Sequence, residues 1–417
     1  MARKMEKPLK MPRPWQLMVS CSLGQMPQVP LSDCDWTLFR TFTLKNNLAT
    51  LVYQGARQEL PAEYRNLPQL IELRLLSKMN RLQSQRHIQA LAEMAAAFQQ
   101  AKIPMLSFKG PLLSQELYGD PAVRNSCDLD VLVDEGKLPE ASRCLETMGF
   151  KAQPSPWDKT PKRRALRQRR GQEMHRVFQR DGVTVELHWR LCYRFVLPFE
   201  SLWASRRSFL LLGQEVYTLS TAENLCYLIT HGAGHGYRQL RWLLEIHSLL
   251  EKEQVSLSDL YTQMEERGVA MLLLETLLLL YRLPGIPMPE KLNIPAGGIT
   301  FQAEGENILV KYPRKAAGTM GRAVRLVKAV YPLLLRNNPE EGLDGRIYKR
   351  LLPTLGNRPP FLLSFFEPYT SEMEWIDLPD RWFFLYYFLR PIHFLRGQWK
   401  KIRHDTLAAA GNGGRKL

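Results

Sequence analysis

Apolar residues recur at helical spacing from about Trp36 to Ala101, most regularly at Ile71, Leu73, Leu76, Met79, Leu82, Leu91, Met94 and Phe98, which predicts a helical N-terminal region. Around Ile103 the period changes. The run Pro104-Met-Leu-Ser-Phe-Lys-Gly110 has the character of a short buried strand, and Pro111 to Tyr118 reads as a helical turn that Gly119 ends. A second strand is expected at Cys127 to Val133, then a helix from about Glu135 to Met148, with Gly149 at its end. His175–Arg180 and Val183–Trp189 alternate apolar and polar positions around Asp181-Gly182, the dipeptide of a two-residue hairpin turn. Thr221 to Tyr281 is again helical, with a cap at Ser220 or Thr221, and Pro284, Pro287 and Pro289 close it. Past Gly305 the helical candidates are Gly321 to Arg336 and Arg381 to Arg403, and Ala408 to Leu417 has the composition of a disordered end. Four regions result: helical 1–101, a strand-bearing core at 102–192, helical 193–300, and a basic, partly helical 301–417. The fold class is α+β.

The chemistry follows from strand alternation. Successive side chains of a strand point to opposite faces, so Asp128 and Asp130 project from one face while Leu129, Val131 and Val133 fall toward the core. On the hairpin, Val183, Val185 and Leu187 alternate with Thr184, Glu186 and His188, which adds Glu186 as a third carboxylate on a polar face. Carboxylates held that close repel one another unless a cation lies between them. Hard oxygen donors suit Mg²⁺, with Mn²⁺ as a substitute, and two such ions about 3.5–4 Å apart activate an attacking hydroxyl and steady a leaving pyrophosphate. Phe108-Lys109-Gly110-Pro111 joins a strand to a helix start and offers a cation, close backbone approach and free amides, the equipment of a triphosphate site. Arg124 and the Lys/Arg loop at 159–170 add charge for phosphate oxygens.

The ordered set Phe108-Lys-Gly110, Tyr118-Gly-Asp-Pro121, Arg124, Ser126-Cys-Asp-Leu-Asp-Val-Leu-Val133 and Val185-Glu-Leu-His-Trp189 resembles the uncharacterised bacterial nucleotidyltransferases of the DNA polymerase β superfamily, over roughly residues 35 to 290. The resemblance implies a minimal nucleotidyltransferase sheet at 102–192 flanked by helical N- and C-terminal regions, with 193–300 completing the cleft. It implies transfer of a nucleoside monophosphate from an NTP to an acceptor hydroxyl or phosphate, and it places the catalytic metal ligands on Asp128, Asp130 and Glu186. Lys109, Gly110, Arg124, Ser126 and Arg241 then fall to the nucleotide. The Lys-Gly pair stands where the wider superfamily usually has Gly-Ser. The acceptor stays open: a sugar phosphate, a peptide, a protein or an RNA end all fit.

Other features carry more than one reading. His231 and His235 are four apart and suit packing, a phosphate contact beside Arg238 or Arg241, or a zinc site, although three nearby glycines argue against an unbroken helix. His188 reads as a packing or supporting neighbour of the acids ahead of a metal ligand. The basic stretch 153–171 is a solvated loop or a lid, and without interleaved aromatics it gives no specific DNA recognition.

Composition changes this picture little. The 417 residues carry a formal charge of +16, which favours anionic partners of any kind. Six dispersed cysteines without a C-x-x-C pair read as reduced thiols of a cytoplasmic protein, and no apolar run approaches the ~20 residues that span a bilayer. Two rival readings remain. One is a catalytically silent nucleotide-binding scaffold. The other is a peripheral membrane adaptor working through the aromatic and basic segment Arg381–Arg403.

Overall fold

The computed structural model describes residues 2–154, 158, 173–192, 197–252, 255–305, 307–335, 368, 370–393 and 395–396. Two compact units divide the chain, Met1–Ala152 with Met174–Leu352, and Gln153–Glu173 with Pro353–Leu417. The basic loop at 159–170, the stretch 397–403 and the expected disordered end lie outside the described residues.

The first unit contains a mixed α+β arrangement around a seven-stranded sheet. Its strands are β2 (Leu106–Phe108), β3 (Leu129–Leu132), β4 (Lys151–Ala152), β5 (His175–Arg180), β6 (Val183–His188), β7 (Arg207–Leu211) and β8 (Gln214–Thr218), in spatial order β4-β5-β6-β3-β2-β8-β7. β3 lies antiparallel to β2 and parallel to β6, with Asp130 opposite Glu186 and Leu132 opposite His188. The β5–β6 hairpin turns where its sequence predicts, with Asp181 and Gly182 at φ 49 and 77. Two positive φ values in succession match the right-handed twist of the flanking strands.

Three short helices, α1 (Arg13–Ser22), α2 (Trp36–Lys45) and α3 (Ala49–Glu59), lead into α4 (Pro68–Gln100). One face of the sheet is apolar. Leu129, Val131, Val185, Leu187 and Phe178 bury against Leu91, Met94 and Phe98 of α4 and Leu138, Ala141 and Leu145 of α6 (Leu138–Thr147). The opposite face carries the polar side chains, and it is they that define the site. α4 is one 33-residue helix, as the apolar period predicts, but Ile71, Leu75, Met79 and Leu82 are exposed while Leu73, Leu91, Met94 and Phe98 are buried. Only its C-terminal half packs fully on the sheet. α5 (Gly110–Tyr118) starts at Lys109, and Gly119 ends it at φ 69, the left-handed conformation a C-terminal cap needs.

Thr221 to Tyr281 resolves into four helices: Thr221–Gly234, Leu240–Lys252, Leu257–Glu266 and Ala270–Leu280. Ser220 caps the first, accepting from Glu223 N. Its helical span includes His231, Gly232 and Gly234, so the glycines end the helix without breaking it earlier. Two sets of strands depart from the sequence reading. β7 and β8 fall in the stretch expected to be helical and join the same sheet. A second, antiparallel sheet is built from β9 (Lys291–Ile294), β10 (Ile299–Glu304), β11 (Asn307–Tyr312) and β1 (Ala2–Glu6), in the order β1-β11-β10-β9. The candidate helix at 321–336 is present as Ala317–Leu335.

In the second unit, Met373, Phe383 and Tyr386 form a small buried cluster. The expected helix from Arg381 begins with a 3₁₀ segment, Asp380–Leu385, and is α-helical over 386–393. No helix among the described residues is long and apolar enough to cross a membrane.

Candidate active site

The polar sheet face gathers residues from three adjacent strands. Asp130 of β3 is 1% exposed and stands beside Glu186 of β6 in the parallel register. Asp128, one residue before β3, is the third carboxylate. Its acidity is lowered by burial and by the charges of Asp130 and Glu186.

His188 sits between two of these acids. Its Nε2 lies 3.1 Å from Asp130 Oδ1 and 3.1 Å from Glu186 Oε2. Burial disfavours the imidazolium, but the hydrogen bonds to Asp130 and Glu186 outweigh it and raise the His188 pKa above the ordinary histidine value. Burial likewise works against ionising Asp130, and Lys109 together with His188 overcomes it, holding that carboxyl well below the usual range. Glu186 is also held low against its burial by His188 and His175. The directions agree for His188 with each of its two acids, whereas burial and the neighbouring His188 lower the His175 pKa.

Lys109 closes one side. Its Nζ lies 3.5 Å from both Asp130 oxygens and 5.0 Å from the centre of the Tyr227 ring. Its backbone, at φ 61 and ψ −147, is in a region that non-glycine residues rarely occupy. Gly110 follows at φ 49. The pair thus turns the chain sharply from β2 into α5, and no side chain caps the helix start. Phe108 packs its ring edge-on against His188 at 5.1 Å and Tyr227 at 4.9 Å, walling the acids on the helix Thr221–Gly234 side. Tyr227 is buried, and burial with the nearby charges of Asp130 and Glu186 keeps its phenol protonated.

Three other residues expected at the nucleotide brace the loop before β3. Arg124 is 4% exposed, and its guanidinium faces Glu245, with Nε 2.7 Å from Oε1 and Nη2 3.5 Å from Oε2. Arg241 donates from Nη1 to the Asn125 carbonyl at 2.5 Å, with Nε 3.5 Å from Glu245 Oε1. Ser126 Oγ donates to the Asp128 carbonyl at 2.8 Å. These contacts hold the backbone that presents Asp128.

His231 and His235 lie in an aromatic group, their tilted rings 4.6 Å apart and Trp242 5.5 and 5.4 Å away. Burial first, then Lys109 and His235, keeps His231 neutral. Two residues were missed in the sequence: Tyr227, whose place one helical turn before His231 gives no chemical signal, and His175. The latter had a signal, because the Asp181-Gly182 turn pairs His175 with His188 across the hairpin. Among the described residues, His175, Glu186 and His188 form a group whose donor atoms lie within 4.8 Å of one another.

The donor set fits a divalent cation. Asp130 and Glu186 are opposed on neighbouring strands, and Asp130 Oδ2 is buried without a hydrogen bond, its nearest cation being Lys109 at 3.5 Å. Carboxylate oxygens of that kind attract a hard ion.

An α+β chain whose mixed sheet presents paired acids beside a strand-to-helix lysine has the layout of a phosphoryl-handling enzyme. The model of a family described as uncharacterised nucleotidyltransferase matches residues 32–285, more than half of the chain, and the protein belongs to that family. Among solved structures, an antigenic nucleotidyltransferase-like protein from Paracoccidioides brasiliensis is similar at 16% identity, covering 44% of this chain and 90% of the other, with a TM-score of 0.26. No curated protein matches the chain.

Proposed function

We propose that the chain is a polymerase β-like nucleotidyltransferase that moves a nucleoside monophosphate from an NTP to an acceptor hydroxyl or phosphate. The observation that carries this reading is the parallel pairing of Asp130 with Glu186 beside Asp128, with Lys109 3.5 Å from Asp130 at a helix start. Asp128, Asp130 and Glu186 would hold divalent metal, Mg²⁺ or Mn²⁺. The metal, when bound, supplies charge to offset the carboxylates and to stabilise the oxygens that enter and leave at phosphorus.

The residues do the rest. Lys109 and the free amides at the start of α5 bind the β- and γ-phosphates. The acceptor oxygen forms its bond to the α-phosphorus as the bond to the bridging α–β oxygen breaks, and pyrophosphate leaves. Where the acceptor is a hydroxyl, ionised Glu186 takes its proton. Arg124, Ser126 and Arg241 keep Asp128 in place, and Arg124 adds a positive charge behind the acids, lowering the Asp128 pKa against the larger effect of burial. A cytoplasmic setting supplies the NTP. The acceptor is a sugar phosphate, a peptide, a protein or an RNA end.

The test is pyrophosphate release by the purified chain with Mg²⁺ and each NTP, with and without cell extract as acceptor source. Release that requires Asp130 supports the transferase. Nucleotide binding without release, in extract as well as buffer, replaces it with the silent binding protein.

A further inference from the structure

We infer that His175, Glu186 and His188 form a site for a divalent transition-metal ion ligated through imidazole, beside Asp130. This deepens the transferase reading and rests on it for the ion's role in catalysis, though not for its binding.

The argument begins with hydrogens. His188 Nε2 can carry one hydrogen, yet it is 3.1 Å from an oxygen of Asp130 and 3.1 Å from an oxygen of Glu186. One N–H shared between both makes a three-centre bond, with no hydrogen left over for either acid. His175 Nε2 approaches the other Glu186 oxygen, Oε1, at 3.8 Å, too far for a hydrogen bond. His175, Glu186 and His188 therefore bring their donor atoms within 4.8 Å of one another with fewer hydrogens than their acceptors call for.

A metal ion satisfies the same set. Bonds of about 2.0–2.2 Å to nitrogen and oxygen put neighbouring donors about 2.8–3.6 Å apart in octahedral or tetrahedral shells. The 3.1 Å between His188 and Glu186 falls inside that range, and the 3.8 Å between His175 and Glu186 lies just outside it. Two imidazoles with a carboxylate suit Zn²⁺, Mn²⁺ or Fe²⁺, whereas Mg²⁺ prefers oxygen alone.

The backbone makes the grouping firm. His175 and His188 are directly opposed on β5 and β6, their rings 4.8 Å apart, and Glu186 is two residues along the same strand face. Asp130 is fixed opposite Glu186 by the β3–β6 register. No loop needs to close to assemble the three. His188 is 7% exposed while His175 is 36% exposed, so an ion has a way in from the His175 side.

The experiment uses the full chain stripped of metal with a chelator and titrated with Co²⁺, whose visible absorption reports nitrogen ligation and low coordination number. Binding with an intense visible band is expected. Zn²⁺ should displace Co²⁺, and a tenfold excess of Mg²⁺ should not. His175→Gln and His188→Gln should each weaken Co²⁺ binding on the order of tenfold to a hundredfold, while Asp128→Asn keeps the band. Because His188→Gln alters a buried cluster, pulsed EPR of the unmutated chain loaded with Mn²⁺ gives an independent readout, the coupling of histidine nitrogen to the ion. Absence of both the band and the nitrogen coupling overturns the inference, as does Co²⁺ affinity unchanged in folded His175→Gln. Loss of pyrophosphate release with the cobalt band intact leaves the metal site standing and removes the transferase reading. Release supported by Mg²⁺ with no nitrogen-ligated ion does the reverse.

Discussion

Arg124 and Glu245 are 3% and 0% exposed and meet at 2.7 Å, and Arg241, 12% exposed, lies 3.5 Å from the same Glu245 oxygen. Glu245 therefore compensates two buried guanidiniums. Glu245→Gln leaves both without a counter-charge, and breaking a buried pair from one side costs about 3–5 kcal/mol, so this substitution belongs at the upper end. Arg124→Met leaves Glu245 with Arg241 as partner and belongs at the lower end. At about 2 °C per kcal/mol for a unit of this size, Glu245→Gln should lower the thermal midpoint by roughly 8–10 °C and Arg124→Met by roughly 6 °C. Because the two residues touch, the double variant Arg124→Met/Glu245→Gln should be less destabilised than the sum of the singles by at least about 1 kcal/mol. Circular dichroism melting of the four proteins reads these shifts. ATP binding, measured on the folded proteins at low temperature, should change only a few-fold in Arg124→Met, since its guanidinium faces Glu245. A variant that melts with wild type yet binds ATP a hundredfold more weakly would refute the reasoning and return Arg124 to the triphosphate.

The remaining predictions concern the acids, the backbone and pH. Asp130→Asn should lower pyrophosphate release by at least about a thousandfold while leaving the fold intact, read by a coupled phosphate assay and a melting curve. Lys109→Gly should melt higher than Lys109→Met, because both remove the same charge beside Asp130 and glycine tolerates φ 61; both should lose NTP affinity by calorimetry. Gly55→Ala should destabilise by about 1–3 kcal/mol or more despite the better helix propensity of alanine, because the new Cβ would collide with the Cys21 carbonyl; chemical denaturation reads the sign. Glu93 pairs with Arg180 at 2.5 Å and its carboxyl is held low chiefly by that hydrogen bond. A depressed carboxyl stabilises the fold above its unfolded value near 4.5 and loses that stabilisation as pH falls through the folded value. With Glu93 40% exposed, Glu93→Gln should cost under about 1 kcal/mol at pH 7, and the cost should shrink as pH falls below the unfolded value.

The parts of the site that were legible in the sequence are those set by local rules. Alternation along 128–133 and 183–188 put Asp128, Asp130 and Glu186 opposite the apolar positions, and the structure has that alternation because Leu129, Val131, Val185 and Leu187 must bury on α4 and α6. The Asp181-Gly182 turn sets the hairpin register, and His175 could have been read from it. Arg124 could not have been placed that way: its partner is 121 residues distant, and a basic residue beside two acids looks the same in sequence whether it serves phosphate or a buried glutamate. β7 was hidden for another reason. Phe209, Leu210, Leu211 and Leu212 form an unbroken apolar run with no visible period, although Leu210 and Leu212 are 76% and 72% exposed. β1 pairs with β11 from the far side of the first unit, and no local pattern announces a partner some 300 residues away.

Lys109 ties fold and chemistry together. A carboxylate as buried as Asp130 needs a cation, and at 3.5 Å from each oxygen Lys109 is close enough to supply charge but too far for short, directed hydrogen bonds. The hydrogen bond that does hold Asp130 comes from His188. In the proposed reaction the ammonium would therefore give up little on turning toward a phosphate, and the acid would keep a partner. Strand-to-helix turns ordinarily spend a glycine on a positive φ, yet here a lysine occupies φ 61 and glycine comes second. A strained lysine costs on the order of 1–3 kcal/mol, which a glycine at the same position would avoid. The charge at that point in the turn, between the acids and the free amides of α5, is the feature that the strain preserves.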